Sequence, residues 1–121
     1  MRRFALGFTA AAAVSMAAGL AHAADMSAAF GNTVVSTYGD GGTVSHFFDP
    51  NGAYRARWSD GRELTGRWSL DGDRVCLSRM RPMMLPIGRF CTEFVEAAVG
   101  ESWQARDPLG RRVRNVLVRG R

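Results

Sequence analysis

Ala53-Tyr54-Arg55-Ala56-Arg57-Trp58, then Ser59-Asp60-Gly61-Arg62, then Glu63-Leu64-Thr65-Gly66-Arg67-Trp68-Ser69-Leu70 is the stretch that decides the fold. In its first arm Tyr54, Ala56 and Trp58 share one face, and Arg55 and Arg57 share the other. In its second arm Leu64, Gly66, Trp68 and Leu70 oppose Glu63, Thr65, Arg67 and Ser69. Apolar residues at every second position mark a strand with one buried and one wet side. The quartet between the arms carries turn chemistry, Asp to cap the backbone and Gly to take a positive φ. The stretch reads as a β-hairpin.

Similar punctuation recurs on both sides, at Gly39-Asp40-Gly41-Gly42, Asp49-Pro50-Asn51-Gly52, Leu70-Asp71-Gly72-Asp73 and Asp107-Pro108-Leu109-Gly110. Segments rich in β-branched and aromatic residues lie between. They predict strands at about 32–38, 43–48, 53–58, 63–70, 74–79, 88–95, 101–106 and 111–119. Helical periodicity is absent after Ala24 except for one turn at Asp25–Phe30. The expected fold is all-β: a small antiparallel eight-stranded meander, closed or nearly closed into a barrel so that few strand edges stay unpaired. A two-sheet β-sandwich is the alternative. Tyr54, Trp58, Trp68, Leu70, Leu77, Phe90, Phe94 and Trp103 are the inward candidates. Their bulk favours a filled interior, although an eight-stranded barrel is wide enough for one small ligand.

The amino terminus has the three parts of an export signal: basic Met1-Arg2-Arg3, the uncharged apolar run Phe4–Leu20, and the small-x-small site Ala21-His22-Ala23. The apolar run is shorter than the roughly 20 residues of a membrane-spanning helix. Residues 1–23 are therefore expected to be a signal peptide cleaved near Ala23-Ala24. Residues 24–121 then form one periplasmic or secreted domain. In an oxidising compartment Cys76 and Cys91 are expected to pair as a disulfide, worth about 3 kcal/mol in the chain-entropy view. If Val75, Leu77 and Phe90 face the core, that bond lies on the outer face.

All 16 basic residues of the chain are Arg, and the net charge is +5. Losing Arg2 and Arg3 leaves 14 against 11 acidic residues, or +3. Export argues against a nucleic-acid partner. Contact with an anionic membrane surface is expected to be peripheral at most, and the domain is expected to be a monomer.

Catalytic motifs are missing. His46 is the sole histidine of the exported domain, and no Gly-x-Ser-x-Gly elbow accompanies it. A lone histidine in an alternating strand reads as a packed or surface residue. One His and two bonded Cys do not make a zinc site, and no Cys-x-x-Cys redox motif is present. No cofactor is expected, and the domain is read as non-catalytic. The least ordinary segment is Met80-Arg81-Pro82-Met83-Met84-Leu85-Pro86-Ile87, an apolar, proline-stiffened connection inside the Cys76–Cys91 loop. Met80, Met83, Met84 and Leu85 are the candidate partner or ligand loop, placed at one barrel mouth. The thioethers of Met80, Met83 and Met84 are weaker candidates for Cu(I).

Gly66-x-Trp68, Asp71-Gly72-Asp73 and Cys76-Leu77 together resemble the central region of bacterial inhibitors of secreted metalloproteases. The resemblance covers about a dozen residues and implies an exported eight-stranded barrel with one disulfide. Two features depart from that family. Its cysteine partner lies upstream where Cys91 lies downstream, and Ala24-Asp25-Met26-Ser27 does not match the segment that those inhibitors thread into the protease. The whole chain also resembles small exported Gram-negative proteins of unassigned function with a Gly-x-Trp…Cys-Leu…Cys layout. The leading expectation is an exported barrel that binds a protein partner or a small hydrophobic ligand. A periplasmic protease inhibitor and a Cu(I)-binding periplasmic protein are the alternatives.

Overall fold

The computed structural model describes residues 24–82 and 88–121. The segment read as a signal peptide, and Met83, Met84 and Leu85 of the candidate loop, lie outside the described residues. The strands are β1 (Thr33–Tyr38), β2 (Thr43–Phe48), β3 (Ala53–Trp58), β4 (Glu63–Asp71), β5 (Arg74–Arg81), β6 (Arg89–Glu93), β7 (Ser102–Arg106) and β8 (Arg112–Val118). They form one antiparallel sheet in the order β6-β5-β4-β3-β2-β1-β8-β7. Because the last strand, β8, pairs back onto β1 while β1 to β6 pair in chain order, the sheet curls until it is nearly closed into a barrel. The sandwich alternative is excluded. Strands β6 and β7 are the two edges and flank the seam. No helix among the described residues is long and apolar enough to cross a membrane.

One barrel end carries the β1–β2, β3–β4 and β7–β8 turns; the amino-terminal segment closes the other. There a 3-10 turn at Ser27–Ala29 follows Met26, which is buried, and Phe30 bridges to Phe48. The Phe30 and Trp68 rings lie 5.8 Å apart, those of Phe48 and Tyr54 5.2 Å. The Trp68 indole N–H donates to the Asp49 carbonyl at 2.7 Å, tying β4 to the β2–β3 turn. From the other face of β4, Arg67 donates to the Asn51 carbonyl at 2.8 Å. Its guanidinium then lies 2.6 Å from where a Cβ on Gly52 would be, and Gly52 has φ +91°, so this turn requires glycine.

Strand β5 runs two residues further than the sequence predicts, to Arg81. Thr65 pairs with Arg81 while Arg67 pairs with Ser78, so β5 carries one extra residue opposite Gly66. Arg79, at φ +52°, absorbs it. A bulge of this kind re-aims the side chains beyond it: Arg79 stays outside, and Met80 turns into the barrel and packs against the core. The approach at the bulge is close. A Cβ on Gly66 would lie 2.9 Å from the Ser78 carbonyl oxygen.

Cys76 and Cys91 are direct partners in the β5–β6 ladder and are joined by a disulfide, with their Cα atoms 4.0 Å apart. Val75, Leu77 and Phe90 alternate with them and line the interior, so the bridge staples the edge strand from the outer face, where the alternation puts it. Cys76 is nonetheless only 1% exposed.

Candidate functional site

The barrel encloses a cavity of about 400 Å³. Met26 and Ala29 line it at the closed end, and Tyr38, Trp58, Arg62, Leu109 and Arg111 at the turn end. Leu109 is 63% exposed while lining it, so the cavity reaches the surface among these turns. Its wall is apolar: Val34, Val44, Leu64, Leu77, Met80, Phe90, Trp103, Val113 and Leu117 contribute from seven of the strands. The expectation of a filled interior is thus corrected. Phe30, Phe48, Tyr54 and Trp68 gather toward the closed end, which leaves smaller aliphatic side chains to line much of the remaining wall.

A polar chain crosses this wall on four adjacent strands. Tyr54 and His46 meet with the hydroxyl 2.7 Å from Nδ1, and His46 Nε2 lies 2.9 Å from Ser36 Oγ. Ser36 donates its single hydroxyl hydrogen to Asn115 Oδ1 at 2.5 Å. That last bond orders the rest. Ser36 must accept from His46 Nε2–H, which leaves Nδ1 as acceptor for the Tyr54 O–H. Register explains the geometry. Ser36 pairs directly with Asn115, while the bonds from His46 run on the diagonal. The direct partner of His46 is Ala56, 0% exposed and small enough to leave the imidazole its place. Burial drives the His46 pKa down to about 4, and burial pushes that of Tyr54 upward. Both are neutral near pH 7.

The turn end holds a second cluster. The Tyr38 hydroxyl donates to Asp107 Oδ2 at 2.9 Å, and the Arg111 guanidinium lies 4.7 Å over the Tyr38 ring while pairing with Asp107 at 3.1 Å. Partial burial, with the Asp107 carboxylate next to it, raises Tyr38 to about 12. Burial alone would raise Asp107. Bonds from the Arg111 and Leu109 backbone N–H groups and the Tyr38 hydroxyl, with the Arg111 charge, outweigh it and hold Asp107 low. Across the mouth Arg62 stacks 5.2 Å from Trp58 and pairs with Asp60 at 2.9 Å.

Of the residues singled out from sequence, the structure joins Cys76 to Cys91 and puts Met80 in strand β5, lining the cavity, instead of in a loop. Met83, Met84 and Leu85 lie outside the described residues. Among the described residues no group of three or more His, Cys, Asp or Glu could hold a metal ion. Sequence reasoning missed Ser36 and Asn115 and left His46 without partners. The signal was present in the inward triplets Val34-x-Ser36-x-Tyr38, Val44-x-His46-x-Phe48 and Val113-x-Asn115-x-Leu117. Each places one polar residue between two apolar ones, and the three strands turn out to be neighbours. Comparison of the chain with protein-family models, curated proteins and solved structures gives no match.

Proposed function

We propose that this protein is an exported, non-catalytic barrel that holds one small, largely apolar molecule in its interior. The cavity carries the reading: about 400 Å³, walled by aliphatic and aromatic side chains and reaching the surface at the turn end. Ligand sites are concave and mostly apolar, with a few placed polar groups. A cavity of roughly 150 Å³ holds benzene, so this one suits a molecule of about 15 non-hydrogen atoms. The Cys76–Cys91 bond supports the exported setting, because such bonds persist in oxidising compartments. The polar chain supports binding over catalysis: its one aliphatic hydroxyl, Ser36, is 5% exposed and gives its proton to Asn115 instead of to His46.

The test is fluorescence titration of residues 24–121 with N-phenyl-1-naphthylamine, a neutral apolar dye of suitable size. Saturable one-to-one binding that is lost in Ala105→Trp, which fills the cavity from β7, is expected. Absence of saturable binding by the folded wild type contradicts the reading.

A further inference from the structure

Resting on the apolar-container reading, we infer that the ligand is an uncharged molecule bearing a carbonyl-type oxygen, bound with that oxygen on the side-chain amide of Asn115. Asn115 lines the cavity and uses its Oδ1 to accept from Ser36. Among the described residues no protein acceptor takes the hydrogens of its Nδ2. A donor pair left free in the wall of a largely apolar cavity is the feature a ligand acceptor completes. The chain behind it strengthens the donor. Tyr54 donates to His46, His46 to Ser36 and Ser36 to Asn115. Head-to-tail bonds polarise one another, and an amide that accepts at its oxygen donates better at its nitrogen.

Charge disfavours an anionic headgroup. The chain itself is neutral, since burial keeps the proton off the imidazole of His46. The charged residues lining the cavity are Arg62, Arg106 and Arg111 against Asp25, Glu93 and Asp107, which cancel. Arg62 and Arg111 are already paired, with Asp60 and Asp107, and Arg106 donates to the Gly110 carbonyl at 2.8 Å. A carboxylate would lose its hydration, and the two guanidiniums at the turn end, Arg62 and Arg111, are already engaged by carboxylates. A ketone, aldehyde, ester or lactone oxygen loses far less and gains the Asn115 donor.

Three matched competitors displacing N-phenyl-1-naphthylamine test this: benzophenone, which has a carbonyl; diphenylmethane, which lacks it; and diphenylacetate, which is anionic. Benzophenone is expected to bind about three- to tenfold more tightly than diphenylmethane, the weight of one hydrogen bond, with diphenylacetate weakest. In Asn115→Leu the advantage of benzophenone over diphenylmethane, each read against the dye's own affinity for that variant, should vanish. The wild-type comparison stands even if that variant fails to fold. Equal displacement by benzophenone and diphenylmethane, or preference for diphenylacetate, overturns the inference and leaves the container reading intact. Failure of the dye itself to bind overturns both.

Discussion

The Tyr54 hydroxyl lies 2.7 Å from Nδ1 of His46, on an imidazole that burial keeps uncharged inside the barrel. Burial lowers the folded-state pKa of His46 to about 4, against an ordinary value of 6.5. Above pH 6.5 the side chain is neutral in folded and unfolded chains alike and adds no pH dependence. Between pH 6.5 and 4 the unfolded chain takes up the proton and the folded one does not, so stability falls on acidification. The loss across the window is on the order of 3 kcal/mol. Urea unfolding of residues 24–121 at pH 7.5, 5.5 and 4.5 measures it, and His46→Gln should remove most of the slope above pH 5.

Tyr54→Phe deletes the donor and leaves His46 Nδ1 buried without a partner. A buried unsatisfied acceptor costs about 1–3 kcal/mol, so the urea midpoint at pH 7.5 should fall accordingly. An unchanged midpoint would show that the Tyr54–His46 contact adds nothing to stability.

The bulge at Arg79 depends on Gly66. With the Ser78 carbonyl 2.9 Å from the position of an added Cβ, Gly66→Ala must displace backbone, and overpacking of this kind costs about 1–3 kcal/mol. Gly39→Ala is the control, because nothing lies within 4 Å of a Cβ there. Thermal unfolding should separate the two variants clearly.

Strand β6 is an edge of five residues, and the disulfide to β5 is its covalent anchor. Replacing Cys76 and Cys91 together by Ala should lower stability by about 3 kcal/mol. Hydrogen exchange should show the loss first in β6.

The eight strands were legible because their turns are local: each Asp, Asn, Gly and Pro does its work within four residues of itself. Alternation gave the inward face of β3 and β4 for the same reason. The bulge escaped notice because it arises where Gly66 meets Ser78 across two strands, and neither residue alone announces it. The Ser36–Asn115 contact joins residues on the strands that close the curl of the sheet, so it exists only once β8 has found β1. The filled interior was expected because counting large side chains says nothing of where along the axis they gather. Trp68 and Phe48 meet edge to face near the plug formed by Met26 and Phe30, which frees the remainder of the barrel for a cavity.

The inward-facing pattern that first marked Tyr54, Ala56, Trp58 and Leu64 as one wall leads to the claim that this wall touches a ligand. Intermolecular nuclear Overhauser effects between bound N-phenyl-1-naphthylamine and isotopically labelled protein test it most directly. Contacts from the dye rings to methyl groups of Val44, Leu64, Leu77 and Val113, all lining the cavity, are expected. Contacts confined to exposed Val99 and Val118, outside the cavity, would contradict it.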